Sequence, residues 1–464
     1  MPATSPQPRQ LNALHETAPG RGDPEAELFD WVAETCGGRI TRSTQTSGGN
    51  RCRSWAIDVA ADNGQVAEVF LRYGPPRPPG VEPYTVRREA QVYRAIAGAG
   101  IVAPKLIAEY PRLQAMLTGR ARGIAEFRRL SDPAVKQAIA RELMDNLARL
   151  HRADTTGVAL DGGGHGDAIV DHVRAELGIW RAMYDEAGRP DALLDLAFRW
   201  LHDNMPAPDG PVALAHGDAG PGNFLFEHGR LTALIDWELA HLGDPMEDLA
   251  WFSMRCVMEP VPDFAASLRD YEHFSGKPVD RARIRYHRVF VSTRVVVIRH
   301  RNVTGEAAHA IVSQALNRRL LIEALADASG CRVGTPAPVE RPPTPRSRLY
   351  DQILADLRDV VVARSTDGQV IAKAKNAAKV VKYLQAFDRF GDTLEQADRT
   401  ALAELLGGGP ASTKAGEDAL AGALQAGRIA FPAALAYFAG QAARQAQLAA
   451  GASGGIANRH YSAL

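Results

Sequence analysis

The sequence predicts an α+β chain in three parts: a small strand-rich lobe, a larger and mostly helical lobe, and an all-helical segment beyond a linker. Three observations carry this. Short apolar/polar alternations punctuated by Gly, Asn and Pro turns run from Ile40 to Thr118. Helical periodicity takes over at Pro133, where Ile139, Leu143, Leu147 and Leu150 share one face. Five prolines in the ten residues 336–345 exclude helix and favour an extended spacer, after which helical stripes resume.

Residues 1–22 are rich in Pro, Arg and small polar residues and lack an apolar core, so they are expected to be disordered, and neither a signal peptide nor a membrane span. Asp23-Pro24-Glu25 supplies an N-cap, a proline for the first helical position and a first-turn acid, predicting a helix over 24–36. Strands are expected at Ile40–Thr46 and Arg53–Val59, joined by Ser47-Gly48-Gly49-Asn50. That turn carries enough glycine for backbone amides to approach a phosphate, and taken alone it is equally a plain hairpin turn. A third strand, Gln65–Arg72, follows the Ala61–Gly64 turn, and Pro75, Pro76, Pro78 and Pro79 then bar regular pairing. Val86, Ala90, Tyr93 and Ile96 predict a helix over Tyr84–Ile96 that carries Glu89. Lys105–Tyr110 and Gln114–Thr118 complete the sheet, and a Gly119–Gly123 connector leads to a helix over Pro133–His151.

The chemistry concentrates in His216-Gly217-Asp218, with Asn223 five residues past that aspartate and Asp236 beyond a short hairpin of two apolar strands, Phe224–Phe226 and Leu231–Ile235. Phosphoryl transfer asks a protein to orient the attacking hydroxyl and to neutralise phosphate charge with Mg²⁺. Asp218 can accept or orient the hydroxyl proton, and the side-chain oxygens of Asn223 and Asp236 are hard ligands of the kind Mg²⁺ prefers. Singly, Asp218 and Asn223 are ordinary turn formers and Asp236 an ordinary helix cap; the combination is what points to phosphotransfer. Asp244, before Pro245, and Asp248 in the next turn are expected to be structural, as is His216, which can fix the loop by a hydrogen bond. His151 reads as a packed or hydrogen-bonded helix end.

HGDAGPGNFLF and LIDWELAHLGDPMEDLAW resemble the corresponding segments of the aminoglycoside phosphotransferase family, a protein-kinase-like group that phosphorylates small molecules. FLRYGPP and RREAQVYRAI are similar to a subgroup related to the kinase domain attached to certain acyl-CoA dehydrogenases, and LARLHRAD resembles the family's LAxLHxxD segment. The resemblance implies a two-lobed kinase-like fold, ATP and Mg²⁺ as cofactors, and a lobe junction at the Gly119–Gly123 connector where adenine sits. It implies that Arg72, where protein kinases usually carry lysine, pairs with Glu89 and with the Ser47–Asn50 turn places the triphosphate. Arginine stays charged, but its fork is not equivalent to an ammonium.

Fifty-four basic residues balance fifty-four acidic ones, which argues against a general nucleic-acid or membrane-surface binder. No run of about 18 apolar residues suggests a transmembrane helix. Cys36, Cys52, Cys256 and Cys331 lie far apart without a metal-ligand pattern, suggesting reduced thiols in a cytoplasmic protein. The resemblance implies that the last helices of the second lobe help to shape the acceptor pocket; the nine arginines against four acids between Asp280 and Gly330 are then either ordinary helix-surface charges or a surface that attracts an anionic hydroxylated metabolite, including a hydroxyacyl-CoA, with Arg294, Arg299 and Arg301 as contacts. An aminoglycoside kinase and a nucleotide-binding scaffold without transfer activity are the alternatives. The expected divisions are 23–122 and 123–330 for the lobes, 331–346 for the linker and 347–464 for a helical accessory domain. In that domain Leu349, Ile353, Leu357 and Val360 form one stripe, and Lys375, Lys379 and Lys382 a positive edge that is either a solvated face or a docking surface for an anionic ligand or a partner protein; the domain as a whole is where a protein partner or self-association is expected.

Overall fold

The computed structural model describes residues 23–46, 52–75, 80–207, 210–301 and 307–464. The expectation of a disordered 1–22 segment and the Ser47–Asn50 turn both lie outside them. Helix α1 (Pro24–Cys36) starts where the Asp23 side chain accepts the Glu25 amide at 3.0 Å, and it ends at Gly37 in the left-handed region.

Strands β1 (Gly38–Thr46), β2 (Arg53–Ala61) and β3 (Val66–Tyr73) form an antiparallel meander. After helix α2 (Val86–Ala95), strands β4 (Leu106–Tyr110) and β5 (Ala115–Gly119) complete a five-stranded sheet in the order β1-β2-β3-β5-β4. The two-residue period splits its faces: Trp55, Ile57, Val59, Val69, Leu71, Tyr73 and Leu117 bury against Leu28 and Val32 of α1. Arg72, opposite Ser54 on one side and Met116 on the other, therefore takes the other face. Thr85 caps α2 by accepting the Arg88 amide at 3.2 Å, and the helix buries two charged residues in succession, Arg88 and Glu89.

The helical lobe contains α3 (Pro133–Leu150), α4 (Ile169–Glu186) and α5 (Ala192–Asp203). Four short strands follow, β6 (Ala213–Ala215), β7 (Phe224–Glu227), β8 (Arg230–Leu234) and β9 (His241–Gly243); β7 pairs with β8 and β6 with β9. Helices α6 (Met246–Met258), α7 (Phe264–Ser275), α8 (Arg281–Arg301) and α9 (Ala307–Ser329) close the lobe around a core with Phe127, Trp180, Phe224, Trp237, Phe252 and Phe290.

Beyond the proline-rich stretch lie α10 (Ser347–Asp356), α11 (Gly368–Leu406), α12 (Thr413–Gln425) and α13 (Phe431–Ser453). Helix α12 packs on α5 and α13 on α9, and Leu402, Leu420, Leu424, Leu435 and Phe438 join the same apolar cluster as Trp180 and Phe252. The stripe that starts on α10 stays outward, with Leu349 58% exposed and Ile353 and Val360 exposed as well; Phe387 of α11 is exposed too. Lys375, Lys379 and Lys382 are exposed. No helix among the described residues is long and apolar enough to cross a membrane, and no disulfide joins the four cysteines.

Candidate active site

The loop between β6 and β7 carries the candidate catalytic residues, and α6 holds it from below. Asp248 is fully buried, and its two carboxylate oxygens accept the backbone N–H groups of His216 at 2.8 Å and Gly217 at 2.9 Å. It also meets His151 Nε2 at 2.9 Å, and His151 Nδ1 meets the Tyr271 hydroxyl at 2.8 Å. Burial works against the Asp248 charge, but these partners, His151 foremost, hold its carboxyl below the usual range. Asp248 is structural, as expected, and what it holds is the loop. His216 Nε2 contacts the Ile235 carbonyl at 3.0 Å, fixing the loop to the end of the hairpin, and its ring packs 4.5 Å from that of Trp237. Gly217 has φ +77°, and a Cβ there would lie 2.2 Å from the Leu239 carbonyl oxygen, so the turn admits only glycine.

Asp218 points into a bidentate fork. Arg255 Nε donates to Oδ1 at 2.8 Å and Arg255 Nη2 contacts Oδ2. Gly220 and Gly222, both with positive φ, fold the loop around this arginine: a Cβ on Gly220 would sit 2.6 Å from Arg255 Cβ. Burial opposes the Arg255 charge, and Asp218, with a smaller pull from Asp236, raises its affinity for the proton beyond the ordinary value. Asn223 donates its side-chain amide to the Asp218 carbonyl at 2.8 Å, which leaves the amide oxygen as the acceptor. Its backbone carbonyl accepts the Ile235 amide at 3.1 Å, which sets Asn223 beside Asp236.

Asp236 occupies the left-handed region, φ 66° and ψ 58°, and makes no helix-capping bond. Its carboxylate lies 3.3 Å from Arg72 Nη2, while Arg72 also meets Glu89 at 2.7 Å and Glu238 at 2.6 Å. The Arg72–Glu89 pair thus forms, with two further carboxylates around the same guanidinium. Burial opposes the Arg72 charge, and Glu89 and Asp236 outweigh it, raising its proton affinity well above the ordinary value. Burial pushes Glu89 up to about 8 against the attraction of Arg72, with Asp236 and Glu238 adding to the push. With Glu89 holding its proton at neutral pH, Asp236 and Glu238 still outnumber the one guanidinium, and Asp236, 38% exposed in its side chain, together with the Asn223 oxygen supplies hard donors facing a cation's needs.

Asp244 behaves as a cap in part: its Oδ1 accepts the Met246 amide at 2.9 Å, while Oδ2 accepts His287 Nε2 at 2.9 Å and Arg283 Nε at 2.8 Å. The acceptor-contact expectation for Arg294 is corrected. Its side chain is 0% exposed and donates to Glu247 Oε1 at 2.6 Å, packed 4.0 Å over the Phe290 ring. Arg301 is held by Glu82 at 2.9 Å and Glu186 at 2.6 Å, and Arg299 is exposed. Arg283, Arg285, Arg318 and Arg319 are likewise paired with carboxylates, so the arginine-rich segment is largely neutralised within the fold.

Two residues of the site went unread in the sequence. Glu238 stands two residues past Asp236, and nothing in its local sequence marks Arg72 as its partner. Arg255 lies seven residues past Asp248, hence on the same face of α6, and that spacing was the available signal.

Among proteins of known structure, one from Ralstonia eutropha described as an aminoglycoside phosphotransferase shares the fold, with a TM-score of 0.51 and 21% identity over 67% of this chain and 99% of that one. Acyl-CoA dehydrogenase family member 11 of Gallus gallus is 32% identical over 197 residues, 39% of this chain but only 24% of its own length. Hygromycin-B 4-O-kinase of Escherichia coli is 29% identical over 213 residues, 42% of this chain and 60% of its own. The family described as the phosphotransferase enzyme family matches residues 50–287, just over half of the 464 residues, a stretch that contains Arg72, Glu89, Asp218, Asn223, Asp236 and Arg255; the chain belongs to that family.

Proposed function

We propose that this protein transfers the γ-phosphoryl group of ATP to a hydroxyl of a small, anionic metabolite. The observation that carries the reading is one loop, anchored on Asp248, that presents Asp218 and Asn223 next to Asp236 and the Arg72–Glu89 pair. Asp218 receives the acceptor hydroxyl and orients it. Asn223 Oδ1 and the Asp236 carboxylate would hold Mg²⁺, which when bound neutralises phosphate charge. Arg72, held by Glu89, contacts the triphosphate, and the Ser47–Asn50 turn is assigned to phosphate on its sequence alone. The preference for an anion now rests on Arg255: two of its five donors serve Asp218, and the rest suit a carboxylate or phosphate near the reacting hydroxyl. A hydroxyacyl-CoA thioester is the class suggested by the relatives named as acyl-CoA dehydrogenase family members. The similarity to hygromycin-B 4-O-kinase favours a second reading, an aminoglycoside acceptor.

Phosphate transfer from Mg-ATP is measured against hydroxy acids, hydroxyacyl-CoA thioesters, neutral polyols and hygromycin B. Wild type is expected to turn over an anionic acceptor with a KM that rises with ionic strength. Asp218→Ala abolishes transfer while ATP binding stays nearly intact, and Asp236→Ala weakens Mg-ATP binding as well. Substantial turnover by Asp218→Ala refutes the assignment. Transfer to hygromycin B with none to anionic acceptors selects the second reading.

A further inference from the structure

The catalytic loop is held at both ends of one helix: Asp248 in the first turn of α6 takes the His216 and Gly217 amides, and Arg255 in its last turn takes the Asp218 carboxylate. A helix end leaves its final carbonyls without partners, and it frays unless something bonds them. On α6 the last two belong to Val257 and Met258, and both accept from Nη1 of Arg459, about two hundred residues further along the chain. A guanidinium there also complements the negative end of the helix dipole.

Arg459 is itself held. Arg319 of α9 donates to its carbonyl at 2.5 Å, and Glu323 engages both Arg319, at 2.6 Å, and His460, at 2.8 Å. Tyr461 bonds Ser292 of α8 at 2.8 Å, and its ring lies 4.8 Å under the Arg288 guanidinium. Arg288 closes the circuit by donating to the Ser462 carbonyl at 2.8 Å and to Ser253 Oγ of α6 at 3.0 Å. Val257 packs in a small apolar cluster with Leu316 and Leu320, against Tyr461.

We propose that residues 459–462 are a positioning element for the phosphotransfer site: they pin the last turn of α6, and through Arg255 they hold Asp218. The helices beyond the linker thereby deliver a strap to the catalytic loop. The inference rests on the assignment of Asp218 proposed above, and its test separates the two.

Amide hydrogen exchange is followed in the full-length protein for wild type, Arg459→Ala and Arg459→Lys. Arg459→Ala is expected to speed exchange about tenfold at residues 216–223 and at 256–259 while leaving the β2–β3 hairpin unchanged, and Arg459→Lys to restore much of the protection. Transfer to whichever acceptor the wild type uses falls about tenfold in kcat with the KM for ATP unchanged. Faster exchange confined to 256–259, with 216–223 as in wild type, overturns the proposal. If wild type transfers to no acceptor, the phosphotransfer reading fails while the exchange result still decides the strap. Should Arg459→Ala not fold, Tyr461→Phe, which loses only the Ser292 bond, is read the same way: faster exchange at 216–223, about threefold, supports the strap and unchanged exchange there overturns it.

Discussion

Arg72 shows how one side chain can be chosen by its surroundings rather than by its strand. It meets three acidic side chains at once, Glu89, Asp236 and Glu238, and does so with a planar fork of five donors where an ammonium has three. Arg72→Ala is expected to raise the KM for ATP about tenfold, and Arg72→Lys to fall between the two, since charge is kept and the fork is lost. Equal ATP affinity in all three proteins would show that the guanidinium does not meet the nucleotide. Glu89 adds a pH signature. Its folded-state pKa is raised from 4.5 to about 8, so the folded chain holds a proton that the unfolded chain releases. That contribution to stability is fully present below about 4.5 and is lost as pH rises through about 8. Without nucleotide, the wild-type Tm should therefore fall relative to that of Glu89→Gln as pH rises across this window. Parallel Tm curves for the two proteins would contradict the raised value.

Helix α6 organises the site, and its effect is testable at its first turn. Gly217 sits over the Leu239 carbonyl at positive φ, so Gly217→Ala must move backbone that Asp248 holds; a cost of about 3 kcal/mol and loss of transfer are expected by thermal unfolding and assay. Asp248→Asn removes an acceptor from two amides and His151, with a cost of similar size, about 3 kcal/mol. Because the Asp248 pKa is held below 3.8, its contribution is present above that value and is lost as pH falls through the depressed one. The Asn variant should therefore lie closest to wild type in the most acidic solutions; a gap that stays constant down to acid unfolding would show that the charge is not what holds the loop. Elements with a one-sided stripe were legible in sequence: α1 was expected at 24–36 and α3 at 133–151, and they span Pro24–Cys36 and Pro133–Leu150. Helix α5 drew no expectation, because residues 192–198 are all buried and carry one polar side chain, Asp195, so that a polar face shows only from Arg199 onward.

The molecule as a whole is closed by helices that follow the linker. Leu420, Leu424, Leu435 and Phe438 are all nearly inaccessible within the core cluster they share with the helical lobe. A chain ending within 334–345 would expose the faces of α5 and α9 that α12 and α13 cover, and it is expected to aggregate or to unfold at a Tm at least about 10 °C lower, measured by size exclusion and calorimetry. A truncated chain as stable and monodisperse as the full one would show that these contacts contribute little. The sequence alone determined the fold class, the strand and helix order up to α3, the Asp218, Asn223 and Asp236 constellation and the Arg72–Glu89 pair. The first three follow from short-range spacing and turn chemistry, which the local chain encodes, while the pair was implied only by the family resemblance. Only the tertiary structure decided that Arg255 clamps Asp218, that Asp248 anchors the loop, and that Arg294 is buried against Glu247 rather than open to an acceptor. A charged residue carries no mark of whether its partner lies across a packed interface: Arg294 and Arg299 differ by five positions on one helix, and the turn of that helix puts the first in the core and the second in water.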